Sequence, residues 1–196
     1  MINESLPLGA TPLSDEEKEG LLLLHITRRE ELNRWEQENI TRAIEWCFSL
    51  KKPSLLTIEF VLQLHKKMFA DVWSWAGTFR TSEKNIGVSY WKISIELKKL
   101  LDDAAYWLQH NTYRDNDEAA ARLHHRLVAI HPFSNGNGRH ARLYTNLVQK
   151  YLLETEPFTW GATNLIHPGP IRKKYIDSLY EADKSNYLPL IDFARS

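Results

Sequence analysis

The sequence predicts an all-α fold, and three observations support this prediction. Apolar residues recur at helical spacing along most of the 196-residue chain. Capping residues stand before several of these stretches, and prolines separate them. The length suits one domain with its own core. We therefore expect a single domain over residues 1–196, in which an N-terminal helical part (1–52) packs on a core formed by 53–196.

The helices follow from their caps and apolar stripes. Ser14 is predicted to cap a helix that runs through an acidic first turn into residues 21–24, and Thr27 with Glu30 forms a predicted capping box for the next helix. Thr57 precedes a third helix, and Asp115 or a neighbouring Asn can cap a later one. Apolar periodicity predicts the extents of the main helices as 30–50, 58–69, 94–110, 115–130, 139–151 and 171–182.

Residues 77–90 depart from this helical pattern. β-branched and aromatic residues are mixed there with glycine and asparagine. Residues 86–88 can lie extended beside 78–80, which predicts a short β-hairpin.

Composition excludes several classes of partner. The chain has 25 basic and 25 acidic residues, so its formal net charge is zero. Nucleic-acid and membrane-surface binders depend on excess positive charge, and we expect neither partner. The apolar run 21–24 is far too short to span a bilayer, and the single Cys47 allows no internal disulfide. We expect a cytoplasmic protein.

The stretch 131–142, His-Pro-Phe-Ser-Asn-Gly-Asn-Gly-Arg-His-Ala-Arg, carries the chemistry. Pro132 ends one helix, and the next begins near Gly136, so the loop lies at a helix N-terminus, where free N–H groups attract phosphate. Arg139 and Arg142 stand three residues apart, on one face of that helix. His131 has an ordinary pKa near neutrality and can accept a proton. The loop therefore predicts a site that holds polyphosphate beside a base.

These residues resemble the motif HxFx(D/E)GN(G/K)RxxR of the Fic/Doc family, with a departure at position 135. The resemblance implies a Fic helical bundle with a β-hairpin flap that transfers AMP from ATP, with Mg²⁺, to a Tyr, Thr or Ser hydroxyl of a target protein. It implies that His131 is the general base and that Phe133 fixes the loop. It also implies a nucleotide site in which Arg139 binds the diphosphate and Arg142 the γ-phosphate, beside an anion hole formed by Gly136, Asn137 and Gly138.

Two positions in the motif affect this interpretation. Asn135 stands where the family has a magnesium-binding carboxylate, and its amide oxygen is a weaker candidate ligand because it brings no negative charge. Gly138 stands where the kinase-like Doc branch has Lys, which favours nucleotidyl transfer. A different nucleotide, phosphate transfer or removal of AMP stay open, as does a non-catalytic nucleotide-binding interaction module.

The resemblance also implies a target-docking flap and an inhibitory glutamate. The expected docking edge is the flap segment, Asn85, Ile86, Gly87, Val88 and Ser89. Many family members are inhibited by a glutamate in an (S/T)xxxE(G/N) motif that pairs with the second arginine. Glu19 followed by Gly20 approaches this motif, although Asp15 replaces the Ser or Thr.

The N-terminal region resembles a bacterial Fic subgroup called mobile mystery protein B. The resemblance lies in residues 7–13 and in the stretch HITRREELNRWEQENI, 25–40. It implies a small antitoxin-like or helix-turn-helix partner.

Overall fold

The computed structural model describes residues 11–113, 115–162, 165 and 169–196. The α-helices of these residues are α1 (Asp15–Lys18), α2 (Arg29–Ser49), α3 (Ile58–Phe69), α4 (Ile93–His110), α5 (Asn116–Ile130), α6 (Asn137–Val148), α7 (Pro170–Asp183) and α8 (Leu188–Arg195). A 3₁₀ turn (Tyr90–Lys92) precedes α4, and a π-helical turn (Gln149–Leu153) extends α6. The predicted all-α class is confirmed.

Three predicted helix starts are confirmed by their caps. Ser14 and Glu17 form a reciprocal capping box on α1. The Thr57 hydroxyl accepts from the N–H of Phe60, and the Asp115 carboxylate accepts from that of Glu118. The capping box predicted at Thr27 is wrong, because α2 begins at Arg29 without a side-chain cap.

One large core joins the N-terminal part to the rest of the chain. Helix α2 packs on α3, α3 on α4 and α6, and α5 on both α4 and α6. Leu32 of α2 is fully buried in the same cluster as Leu64 of α3 and Leu127 of α5. Burying a leucine of this kind stabilises a fold by roughly 1.5–3 kcal/mol. Helices α7 and α8 pack together and cover α5 through a second cluster around Tyr175 and Phe193.

The predicted β-hairpin is wrong. The described residues contain no β-strand, and their only bridge joins Leu21 to Trp73. The N–H of Arg80 donates instead to the carbonyl of Pro132 (2.9 Å), and that of Val88 to Ile130 (3.3 Å). The two expected strands thus pair with the loop around His131 rather than with each other.

No helix in the described ranges combines the length and apolar character needed to cross a bilayer.

Cys47 is buried within α2, and burial raises the pKa of its thiol to about 11.

Candidate active site

The loop between α5 and α6 is fixed by its own side chains. His131 ends α5 in the left-handed conformation, with φ at 54°. Phe133 is fully buried and stacks on the His65 ring, with 3.7 Å between ring centroids. The Asn137 side chain accepts from the N–H of Phe133 (2.9 Å) and donates to its carbonyl (2.8 Å). The amide of Asn137 therefore holds the loop closed, which leaves its backbone N–H for an anion.

Gly136 is required where the loop enters α6. Its φ is 79°, and a Cβ there would lie 2.6 Å from the Phe69 ring. It caps α6 without a side-chain hydrogen bond, and the first turn of the helix contains no acidic residue. The N–H groups of residues 137–139 have no partners within the helix, and the start of α6 is electropositive.

His65, a buried histidine on α3, supports the loop through two hydrogen bonds. The Nε2 of His65 donates to the Asn135 carbonyl (3.0 Å), and its Nδ1 accepts from the N–H of Gly77 (3.0 Å). These two bonds fix the tautomer. Burial, with the nearby His140, holds the pKa of His65 well below its usual value, so the ring is neutral.

His131 faces a hydroxyl from the far end of the chain. Its Nε2 lies 2.9 Å from the Oγ1 of Thr11, and its carbonyl accepts from the Nε of Arg80 (2.8 Å). Burial, and then the charges of Arg80 and Lys84, lower the pKa of His131 to about 4, against a weaker opposing effect of the Val128 carbonyl. The ring is therefore neutral at pH 7 and free to accept a proton.

Arginines surround a cavity of about 260 Å³ beside this loop. Arg139 and Arg142 reach it from α6, Arg29 from the start of α2 and Arg172 from α7. Burial lowers the pKa of Arg142 and of Arg172, and the proximity of the cations adds to this effect. Such a cluster stabilises the binding of an anion that carries several charges.

The two predicted phosphate ligands have different partners. The Nη1 of Arg139 donates to Glu36 (2.6 Å), and its guanidinium lies over the Phe69 ring. The other Glu36 oxygen accepts from the indole N–H of Trp73 (2.7 Å). Arg142 lies over the Tyr175 ring, at 5.6 Å from its centroid, and no carboxylate pairs with it among the described residues.

Comparison with known proteins agrees with this geometry. The sequence profile of the Fic/DOC family matches residues 55–149. The chain belongs to the Fic/DOC family. Protein adenylyltransferase fic-1 of Caenorhabditis elegans is 30% identical over 151 residues, which cover 73% of this chain and 27% of that protein. Protein adenylyltransferase Fic of Drosophila ananassae is 30% identical over 148 residues, 74% of this chain and 28% of that one. The chain thus spans about a quarter of the length of these curated relatives.

Solved structures show the same fold. BepC of Bartonella tribocorum, with bound AMPPNP, superposes with a TM-score of 0.70 at 16% identity, over 93% of this chain and 97% of that one. Fic-1 of C. elegans superposes with a TM-score of 0.61 at 28% identity, over 80% of this chain and 46% of that one.

The Fic/DOC loop is flanked by the flap segment (Asn85, Ile86, Gly87, Val88 and Ser89), which lies beside it as an irregular chain. Arg80 fixes this segment by donating to the carbonyls of Val88 and Ser82. Gly87 has a φ of 105°, and a Cβ there would lie 2.7 Å from the Cβ of His131. Ile86, with 41% of its surface exposed, lines the cavity together with Gly87.

Glu19 makes no ion pair with the Fic/DOC arginines among the described residues. It is exposed at the C-cap of α1. Two residues earlier, Glu17 pairs with Lys84 and accepts from the Ser82 hydroxyl (3.2 Å).

Asn135 does not fit a resident magnesium site. Its Oδ1 accepts from the N–H of Gly136 (2.6 Å) and lies 3.4 Å from the Nη2 of Arg139. Across the described ranges, no group of three or more His, Cys, Asp or Glu could hold a metal ion. A neutral oxygen beside a guanidinium is a poor ligand for a hard divalent cation.

Sequence reasoning predicted that His131 and the α6 residues share one site, and four further residues, which it did not predict, line the same cavity or contact these residues. These are Thr11, Arg29, Glu36 and Arg172, which come from the N-terminal segment, α2 and α7. Arg29 lies between Thr27 and Glu30 of the predicted capping box and shows no other signal in the sequence. Residues so distant in sequence carry no local pattern that connects them to the loop.

Proposed function

We propose that the chain transfers AMP from ATP to a hydroxyl group of a protein. The observation that carries this proposal is that His131, the start of α6, Arg139 and Arg142 all face one cavity. A neutral base and a cation-lined anion site are thereby placed side by side. The names of the curated relatives, protein adenylyltransferases, support the same reaction.

In this reaction His131 takes the proton of the acceptor hydroxyl at Nε2. The hydroxyl oxygen forms a bond to the α-phosphorus of ATP, and the bond between that phosphorus and the bridging oxygen to the β-phosphate breaks. Pyrophosphate leaves, and the arginines neutralise its charge. Catalysis of this kind depends on positioning and on charge stabilisation.

The residues at the start of α6, with Arg139 and Arg142, each have a part in binding the nucleotide. The N–H groups of residues 137–139 bind phosphate oxygens at the start of α6. Arg139 binds the diphosphate, for which it must exchange its contact with Glu36, and Arg142 binds the γ-phosphate. Gly138 stands where the kinase-like Doc branch has lysine, and a Cβ there would lie at an ordinary contact distance of 3.6 Å from the Nη1 of Arg142. The absence of that lysine supports nucleotidyl transfer over phosphate transfer.

Mg²⁺ enters this proposal with ATP rather than as a resident ion. The phosphates bring the negative charge that the chain lacks at position 135, and Asn135 adds one amide oxygen.

The flap segment is the proposed docking edge for the target. Residues 85–87 are exposed and lie next to His131, so a chain placed along them would bring a hydroxyl to the base. The free backbone groups of an irregular edge can bind an extended peptide.

We also propose that residues 1–196 form one Fic domain, because a single core joins Leu13 and Leu32 to α3–α6.

We further propose that the chain has a small antitoxin-like or helix-turn-helix partner and a cytoplasmic location. The resemblance of the N-terminal region supports the partner, and the use of ATP supports the location. Purified partner added to the reaction should reduce AMP transfer.

Labelled ATP tests the reaction. Purified protein is incubated with a cell lysate, Mg²⁺ and ATP labelled at either the α- or the γ-phosphate. Protein-bound label from the α-position alone, lost in His131→Ala and kept in the exposed-histidine control His110→Ala, supports AMP transfer. Label from the γ-position indicates phosphate transfer, and nucleotide binding without any label indicates a non-catalytic module.

The same assay examines two remaining alternatives. Other labelled nucleoside triphosphates test the choice of base, and loss of label from previously modified protein tests AMP removal. Higher activity in Glu19→Gly would support inhibition by Glu19.

A further inference from the structure

The N-terminal segment, residues 11–14, occupies the position that an acceptor must take. The Oγ1 of Thr11 lies 2.9 Å from the Nε2 of His131, and Thr11 is 7% exposed. When the neutral ring carries its proton on Nδ1, Nε2 accepts the hydroxyl proton of Thr11. A general base must make this contact with the hydroxyl that it activates.

Contacts on the following residues hold the N-terminal segment in place. The Nζ of Lys84 donates to the carbonyl of Pro12 (3.1 Å) and pairs with Glu17. The Leu13 side chain is buried in the large core. Ser14 caps α1 and so fixes the direction in which the segment continues. The structure thus positions Thr11 by the packing of its neighbours, independently of the contact with His131.

The Thr11 hydroxyl also faces the proposed phosphate-binding site at the start of α6. Thr11 lines the same cavity as residues 136–139 and Arg142. A phosphate chain bound at the start of α6 would lie in the cavity that contains this hydroxyl. The base, the hydroxyl and the anion site therefore belong to one chain and one cavity.

We infer that Thr11 is an acceptor of AMP within its own chain. The inference rests on the proposed function and names a substrate of that same site. His131 takes the proton from Thr11, the Oγ1 forms a bond to the α-phosphorus of ATP, and pyrophosphate leaves with the electrons of the broken phosphoanhydride bond. The product is a phosphodiester between Thr11 and AMP.

Two consequences follow from this position. Modification is intramolecular, so the fraction modified per unit time does not depend on protein concentration. An external target can reach His131 only when Thr11 has left Nε2, so the N-terminal segment and the target compete for one position.

The test uses the full chain with ATP and Mg²⁺, with and without a cell lysate. Peptide mapping by mass spectrometry locates the added AMP, and a dilution series measures the concentration dependence. We expect wild type to carry AMP on Thr11 at a rate per molecule that dilution leaves unchanged. Thr11→Ser, which keeps a hydroxyl, should be modified at position 11.

Thr11→Val removes the hydroxyl but keeps the shape of the side chain. It should lose the label at position 11. Thr41→Val, the same change at an exposed site on α2, should behave as wild type.

The outcomes separate the two proposals. Label on lysate proteins with Thr11 unmodified in wild type overturns this inference and leaves the proposed function standing. Modification of Thr11 whose rate per molecule rises with protein concentration overturns the intramolecular step. Absence of α-phosphate label from every protein overturns the proposed function and this inference together.

Discussion

Arg139 donates a 2.6 Å hydrogen bond to Glu36, a carboxylate whose side chain is 3% exposed. The residue that would bind the diphosphate is thus already paired with an anion from α2. A nucleotide must compete with this carboxylate, so Glu36 sets both the position of Arg139 and its availability.

Glu36→Gln should tighten ATP binding and destabilise the fold. The amide keeps an acceptor for the Trp73 indole but removes the charge that competes with phosphate. Because Arg139 is then left partly buried without its anion, we expect the free energy of unfolding to fall by about 1–3 kcal/mol. Calorimetric titration with ATP and unfolding in urea measure the two effects. Glu38→Gln, exposed on the same helix, is the control. Weaker ATP binding in Glu36→Gln would show that Glu36 mainly positions Arg139.

Asn135→Asp should lower the concentration of Mg²⁺ needed for half-maximal AMP transfer, by roughly tenfold. A carboxylate there would add the negative charge that the amide lacks. Titration of Mg²⁺ in the labelling assay gives the value. Asn33→Asp adds the same charge on the cavity wall and serves as the control. An unchanged Mg²⁺ requirement would show that position 135 does not face the metal.

The stability of the protein should fall in mild acid. Burial lowers the pKa of His124 to about 3, and those of His131 and His140 to about 4. The unfolded chain binds these protons near pH 6.5, so the unfolded state gains protons first as the pH falls. The contribution of these three neutral rings to the free energy of unfolding is fully present above about pH 6.5 and is lost progressively towards pH 4.

We expect the free energy of unfolding to decrease by at least about 2 kcal/mol between pH 7 and pH 5. Urea titrations at several pH values measure this slope. His110→Ala, at an exposed position, should leave the slope unchanged. A flat profile over this range would contradict the neutral, buried state of the three rings.

Gly87→Ala should reduce both activity and stability. Its φ of 105° is unfavourable for alanine, and the added Cβ would lie 2.7 Å from that of His131. Strain of this kind costs about 1–3 kcal/mol, and relief of the contact would move the base. Gly169→Ala is a matched control, because a Cβ there meets nothing within 4 Å. Urea unfolding measures the stability of the variant, and the labelling assay measures its activity, so a displaced base can be distinguished from a less stable fold. Wild-type activity in Gly87→Ala would show that the flap segment moves to relieve the contact and that His131 stays in place.

The sequence by itself determined most of the helices and the loop, but it did not predict α8 or the start of α2. Ser14, Thr57 and Asp115 cap helices because a cap depends on residues within one turn. The order of residues 131–142 likewise determined a base, a glycine-rich helix start and two arginines on one face, since each of these features is local.

Only the tertiary structure decided what meets this loop. Thr11 contacts His131 across 120 positions, and Glu36 contacts Arg139 across 103. The hairpin is wrong for the same reason: the N–H groups of Arg80 and Val88 donate to the carbonyls of Pro132 and Ile130, which are distant in sequence, and not to each other's segment. Contacts between distant segments depend on how whole helices pack, and a pattern that spans a few residues does not encode that packing.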